Sequence, residues 1–139
     1  MLEKKSDPNK VDKVGWTSFH MNSYRDLNKE TVRLFFQFKA DANIKANEDG
    51  KTVFHYACEN EKINKEIVLL FLNNNSSVNS FASYRGTPLH ILIYQKKDDL
   101  SLISAFLEKK LDINIKGENC NFIFIFIFIF FYFILILIF

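Results

Sequence analysis

Three histidines stand 35 residues apart, at His20, His55 and His90, and the chain has no others. Three imidazoles can hold a zinc ion when their nitrogens converge on one point. Each histidine, however, ends a similar phrase: GWTSFH, GKTVFH or RGTPLH. Equivalent positions of stacked repeats lie in a row rather than around a point, so we expect no metal site and no cofactor.

Other catalytic chemistry finds little support in the residues. No Ser lies in a nucleophile-elbow context, and with four Gly in the chain no phosphate-cradling loop can be identified. The formal net charge is +2, and Lys is interleaved with Asp and Glu, without the basic stripe typical of nucleic-acid binders. We therefore predict a protein that is not an enzyme, takes no small-molecule substrate and binds no nucleic acid.

Cysteine usage and the N-terminus bear on location. Cys58 and Cys120 are far apart and match no metal-ligand spacing, which suits a reducing compartment. The opening residues MLEKKSDPNK lack the apolar core of a secretory signal. The expected location is therefore cytoplasmic.

The phrases around the histidines belong to longer repeats. Apolar stretches with the spacing of one helical face follow them, namely TVRLFFQF, IVLLFL and LISAFL. The echoes ADAN, SSVN and LDIN then close the units. The pattern of each unit predicts two short helices and an extended loop. Thr17, Thr52 and Thr87 are the predicted N-caps of the first helices.

These units resemble the ankyrin repeat, whose pattern runs D-x-x-G-x-T-P-L-H-x-A-A, then a second helix, then G-A-D-V-N. RGTPLH, DGKTVFHYA and ADANIKANEDGKT carry the resemblance. It implies an all-α ankyrin-like repeat solenoid of helix–turn–helix units with extended finger loops. The predicted divisions are a partial repeat at 1–11, repeats at 12–46, 47–81 and 82–116, a broken fourth repeat at 117–121 and a hydrophobic tail at 122–139.

The resemblance also implies a function, namely binding of a protein partner through the finger tips and the exposed side of each first helix. The implied partner-binding residues are Lys13, Val14, Trp16, Glu48, Asp49, Lys51, Ser83, Tyr84 and Arg85. Trp16, Tyr84 and Arg85 are the expected anchors, because Trp, Tyr and Arg are enriched in binding hot spots. In the alternative interpretation, Trp16 packs on a neighbouring finger and Tyr84 is merely exposed.

The resemblance assigns a different role to the recurring Thr and His positions. It implies that they form a structural turn motif, in which each histidine is hydrogen-bonded in the turn between repeats. The residues of this motif are Thr17, His20, Thr52, His55, Thr87 and His90.

Both ends of the chain interrupt the repeat. MLEKKSDPN (1–9) matches FLEKKLDIN (106–114), so we expect the chain to open inside the second helix of an earlier unit. At the other end, the pattern due in a fourth unit is lost at Phe122. Because repeat arrays bury their core between neighbours, we expect a fragment of a longer array with marginal stability.

The tail, FIFIFIFIFFYFILILIF, has three competing interpretations. A helix of this length would span about 27 Å, close to the ~30 Å hydrocarbon core, and would make the protein a tail-anchored adaptor with its repeats in the cytosol. The Phe/Ile alternation instead favours a strand, which would aggregate in water. Alternatively, the tract is translated T-rich non-coding sequence and no evolved part of the protein.

Overall fold

The computed structural model describes residues 6–95, 99–112, 115 and 131–138. Before the tail, these residues form six helices. They are α1 (Ser18–Arg25), α2 (Lys29–Gln37), α3 (Val53–Glu59), α4 (Lys65–Asn73), α5 (Pro88–Tyr94) and α6 (Leu100–Leu107).

The helices form pairs that stack in two layers. The first helices of the pairs contact one another in the order α1, α3, α5, and the second helices in the order α2, α4, α6. An all-helical repeat architecture is therefore observed over the described residues, as the resemblance implied. Within these residues the only β-pairing is two isolated bridges, Lys45 with Thr52 and Ala82 with Gly86.

Short finger loops precede the first helices. The loops are closed by backbone hydrogen bonds from Asp12 N to Trp16 O (2.9 Å), Ala46 N to Lys51 O (2.8 Å) and Ala82 N to Gly86 O (2.9 Å). We call them finger 1 (residues 12–16), finger 2 (46–51) and finger 3 (82–86). Each finger delivers the chain directly to a Thr N-cap.

Polar caps fix where both helices of each pair begin. Thr17, Thr52 and Thr87 occupy the N-cap positions of α1, α3 and α5, as predicted. The second helices use caps that we did not predict. In each case a side-chain oxygen accepts a hydrogen bond from a backbone amide of the first turn. Asn28 Oδ1 accepts from Thr31 N (2.9 Å), Asn64 Oδ1 from Ile67 N (3.0 Å) and Asp99 Oδ1 from Ser101 N (2.8 Å). A side-chain acceptor at this position satisfies an amide that has no partner within the helix.

Aromatic rings form the centre of the core and continue from one pair to the next. Within pairs, Phe19 stacks on Phe35 with ring centroids 4.4 Å apart, and Phe54 stacks on Phe71 at 4.9 Å. Between pairs, Phe71 also stacks on Phe19 at 5.5 Å, and Phe106 stacks on Phe54 at 5.3 Å. Helices α4 and α6 therefore each place one ring against the first helix of the preceding pair.

Three asparagines tie the ends of successive units together. In each case the side-chain amide donates to a backbone carbonyl of the next unit, and its oxygen accepts from the amide two residues later. Asn9 bonds Lys39 O (3.3 Å) and Asp41 N (2.7 Å), Asn43 bonds Asn75 O (3.0 Å) and Ser77 N (2.8 Å), and Asn79 bonds Lys110 O (2.9 Å) and Asp112 N (2.8 Å). Asn9 thus has the same structural role as the closing asparagine of a complete unit.

The described part of the tail is helical over residues 131–138. This stretch follows the strict Phe/Ile alternation and is a helix, not the strand that the alternation favours. Some of its apolar side chains are exposed, such as those of Phe131 and Leu137. No helix within the described ranges is both long enough and apolar enough to cross a lipid bilayer. The predicted broken repeat at 117–121 and the alternating residues 122–130 lie outside the described residues.

Candidate functional site

The recurring Thr and His positions form one local structure, seen clearly in Thr52 and His55. The backbone amide of Thr52 donates to Nδ1 of His55 at 3.0 Å, and the Thr52 hydroxyl lies 2.8 Å from the same nitrogen. Because Nδ1 accepts from an amide, the proton of the neutral ring is on Nε2. Thr17 with His20 and Thr87 with His90 repeat this arrangement.

In two of the histidines, the protonated Nε2 donates a hydrogen bond to a backbone carbonyl farther along the chain. His20 Nε2 donates to the carbonyl of Ile44 at 3.0 Å, and His55 Nε2 donates to the carbonyl of Gly86 at 3.1 Å. His90 Nε2 is buried and has no hydrogen-bond partner among the described residues. His55 therefore joins α3 to finger 3, and His20 joins α1 to Ile44, two residues before finger 2.

Burial controls the ionisation of these rings. Desolvation lowers the pKa values of His20, His55 and His90 below the ordinary histidine value. The effect is largest for His55, where burial lowers the pKa to about 4. The rings are thus neutral at physiological pH. Across the described ranges, no three His, Cys, Asp or Glu side chains are grouped in a way that could hold a metal ion.

The implied partner-binding residues differ in exposure. The exposed ones are Lys13, Val14, Glu48, Ser83, Tyr84 and Arg85. Tyr84 stands at the tip of finger 3 with a positive φ of 63°, a conformation that costs a non-glycine residue free energy. Trp16, Asp49 and Lys51 are only partly exposed, and their contacts explain why.

Trp16 is part of an aromatic cluster that spans two repeats. Its ring lies 5.6 Å from Tyr24 and 4.8 Å from Tyr56, measured between centroids. Tyr24 and Tyr56 are themselves 6.1 Å apart, edge to face. Trp16 therefore packs against the helix of the next repeat, which gives it a structural role and leaves only part of the indole for a partner.

Asp49 and Lys51 belong to a partly buried ionic network. The side chain of Lys51 is only 12% exposed, and its Nζ lies 3.3 Å from Asp49 Oδ2 and 2.9 Å from Glu59 Oε1. The same ammonium lies 5.0 Å from the ring centroid of Tyr56, whose hydroxyl donates to Asp49 at 3.1 Å. These residues hold finger 2 to α3, so the structure places them beneath the surface that a partner would meet.

The pKa directions in this network follow from its contacts. Burial acts to raise the pKa of Asp49, but the Lys51 amide, the Lys51 charge and the Tyr56 hydroxyl together hold it below its usual value. The pKa of the Tyr56 hydroxyl is raised by burial and by the neighbouring Asp49 carboxylate. The carboxylate therefore stays ionised and the phenol stays protonated at physiological pH.

Arg85 extends this network to the third repeat. Its Nε lies 3.7 Å from Glu59 Oε1, and its guanidinium carbon lies 5.9 Å from the ring centroid of Tyr94. Unbroken contacts therefore run across three repeats. We call this set the aromatic–ionic strip, and it consists of Tyr24, Trp16, Tyr56, Lys51, Glu59, Arg85 and Tyr94.

Sequence reasoning missed Tyr24, Tyr56, Glu59 and Tyr94. A signal was present for three of them, because Tyr24, Glu59 and Tyr94 are separated by 35 residues, like the histidines. They occupy equivalent positions near the ends of α1, α3 and α5. Repeat arithmetic applied to the helix ends, and not only to the fingers, would have found them.

Two comparisons with known proteins bear on the identity of this array. A family model described as ankyrin repeats (3 copies) matches residues 1–82 and 23–117, which together cover well over half of the 139 residues. No curated protein matched the chain in a sequence search.

Proposed function

The chain belongs to the ankyrin-repeat family, and on that premise we propose that it is a non-catalytic protein-interaction module that binds its partner along the aromatic–ionic strip and finger 3. Ankyrin repeats generally mediate protein–protein interaction. The observation that carries the proposal is the exposure of three tyrosines, with Tyr24, Tyr84 and Tyr94 at 55%, 69% and 70%.

The chemistry of the strip suits a protein partner. Tyrosine and arginine bury large areas and still offer hydrogen bonds, which is why they are enriched among residues that dominate binding energy. Arg85 lies near the Tyr94 ring and Glu59, so both its charge and its planar face are already oriented. Groups held in place before binding lose less conformational entropy when a partner docks.

The residues of the strip divide into two roles. Tyr24, Tyr84, Tyr94 and Arg85 are exposed and would contact the partner. The partly buried members, Trp16 and Lys51 among them, position the exposed ones by packing and ion pairing. This division refines the prediction that Trp16 is an anchor, since Trp16 would act mainly through Tyr24 and Tyr56.

The experiment is an affinity measurement on purified variants with a partner obtained from a protein-interaction screen. Tyr84→Ala and Tyr94→Ala should each weaken binding at least tenfold, a loss of about 1.4 kcal/mol or more. Phe38→Ala is the matched control, because Phe38 is an equally exposed aromatic residue outside the strip. Unchanged affinity for both tyrosine variants, or an equal loss for Phe38→Ala, would contradict the proposed surface.

A further inference from the structure

Two polar side chains of α1 place unpaired oxygen atoms in the interior of the array. Asn22 Oδ1 and Ser23 Oγ are buried and have no hydrogen-bond partner among the described residues, although Asn22 Nδ2 donates to Asp26 O at 3.1 Å. Ser23 is completely buried. A buried oxygen without a partner loses its hydrogen bonds to water and gains none in return, so it favours any conformation in which water reaches it.

The other first helices have apolar or weakly polar residues at these two positions. The equivalent residues, spaced by 35 in the sequence, are Ala57 and Cys58 in α3 and Leu92 and Ile93 in α5. Such side chains gain free energy when they leave water and need no hydrogen-bond partner. The polar pair of Asn22 and Ser23 is therefore particular to the first repeat.

Helix α1 also buries fewer apolar side chains than α3. The buried residues of α1 are Phe19, His20 and Ser23, whereas those of α3 are Val53, Phe54, His55, Tyr56, Ala57 and Cys58. Burial of apolar surface is the main term that holds a helix against its neighbours, and regions with few buried apolar contacts open at the lowest free energy. On this ground α1 should open more readily than α3.

Polar links between the end of α1 and the second repeat are partly or fully open to water. Asn60 Nδ2 donates to the carbonyls of Ser23 (3.0 Å) and Tyr24 (3.1 Å). Lys62 Nζ lies 2.8 Å from Asp26 Oδ1, with side chains that are 61% and 71% exposed. An ion pair this exposed contributes little to stability. Water can therefore replace these links when α1 moves away.

We propose that α1 opens away from α3 while the second and third repeats stay folded, and that a partner bound to Tyr24 holds it closed. The second half rests on the proposed function, which assigns Tyr24 to the partner surface. The Tyr24 ring lies 5.6 Å from Trp16 and 6.1 Å from Tyr56, between centroids, so opening separates Tyr24 from the part of the aromatic–ionic strip on α3. A partner that spans Tyr24 and Tyr94 binds the closed state alone and shifts the population toward it.

Hydrogen–deuterium exchange of the full chain, followed by mass spectrometry, tests the opening without any partner. Amides of α1 should exchange about tenfold or more faster than those of α3, after correction for their intrinsic rates. Their exchange should also depend less on added urea, because local opening exposes less surface than global unfolding. Equal rates and equal urea dependence in α1 and α3 would overturn the proposal.

The double substitution Asn22→Ala and Ser23→Cys gives α1 the two residues that α3 has at these positions. It removes both unpaired oxygens and should slow the exchange of α1 by about tenfold. Ser104→Cys in α6 is the matched control, because the Ser104 hydroxyl donates to Ser101 O at 2.9 Å and the same replacement there removes a hydrogen bond that is made. It should slow exchange in neither helix. Unslowed exchange of α1 in the double variant would overturn the role of the unpaired oxygens.

The coupling to binding is measured by adding the partner used in the affinity experiment. Saturating partner should slow the exchange of α1 further, in proportion to its concentration relative to Kd. A partner that binds through Tyr84 and Tyr94 yet leaves the exchange of α1 unaltered would overturn the coupling, while the proposed function would stand. If the affinity experiment instead contradicts the proposed surface, the exchange of the free chain still decides whether α1 opens.

Discussion

The Nε2 of His55 donates a hydrogen bond at 3.1 Å to the carbonyl oxygen of Gly86, which follows 31 residues later. A side chain of the second repeat thereby fixes the finger of the third. Gly86 has a positive φ of 75° and closes finger 3 through its own bond to Ala82. The same imidazole accepts from the amide of Thr52, the N-cap of α3, so one buried ring joins the start of that helix to the next finger.

Replacing the His55 ring should lower the free energy of unfolding. His55→Ala removes three buried hydrogen bonds and leaves a cavity, so we expect the free energy of unfolding to fall by about 3 kcal/mol or more. His90→Ala is the matched control, since His90 Nε2 has no partner among the described residues. Urea unfolding of the two variants should show the larger loss for His55→Ala; equal losses would contradict a linking role for Nε2.

Acid should destabilise the array before most carboxylates titrate. The folded state lowers the pKa of His55 to about 4, whereas an unfolded histidine titrates near 6.5, so below pH ~6.5 the unfolded chain binds more protons. The free energy of unfolding should be constant above pH ~7.5. Between pH 6.5 and 4 it should fall by about 3 kcal/mol from His55 alone.

Urea titrations at several pH values measure this dependence. His20 and His90, whose pKa values are also lowered by burial, should add to the loss. A His55→Gln variant should show a shallower slope over the same window. An unaltered slope would mean that His55 does not carry the effect.

The glycines of fingers 1 and 2 should respond differently to the same substitution. Gly15→Ala and Gly50→Ala share the cost of a positive φ, at 79° and 67°. A Cβ on Gly15 would also approach Asn47, lying 2.9 Å from its backbone nitrogen, whereas a Cβ on Gly50 meets nothing closer than 4.0 Å. We expect Gly50→Ala to cost about 1 kcal/mol and Gly15→Ala clearly more, measured by urea unfolding. The reverse order would contradict the contact between fingers.

The backbone conformation of Tyr84 should lower the stability of the fold, while its exposed ring should contribute to partner binding. Its positive φ of 63° is strained for tyrosine and easy for glycine, while its exposed ring makes little contact with the fold. Tyr84→Gly should therefore leave the thermal midpoint unchanged or raise it, and weaken partner binding at least tenfold. Tyr84→Asn, which tolerates the same φ, is the control for backbone flexibility. A loss of stability with unchanged affinity would refute the role of the ring.

The amino-acid sequence by itself determined the repeat and the family. The local patterns are histidines spaced 35 residues apart, threonines three residues before them and recurrent apolar faces. Such patterns can be recognised without knowledge of the tertiary structure. The N-caps at Thr17, Thr52 and Thr87 were predictable for this reason. The caps at Asn28 and Asn64 open the shared phrase NKE and could have been predicted in the same way, whereas Asp99 lies in a different phrase, DDL.

Only the tertiary structure decided which of the candidate residues face solvent. Lys51 and Tyr84 are both polar finger residues in the sequence, yet Lys51 is enclosed by Asp49, Glu59 and the Tyr56 ring, and Tyr84 is open. Exposure depends on how the finger folds against the helices, as finger 2 does against α3 around Lys51, and sequence spacing does not specify those contacts. Likewise, only the structure shows that Phe35 is partly buried, whereas Phe71 and Phe106 at the equivalent positions of α4 and α6 are completely buried.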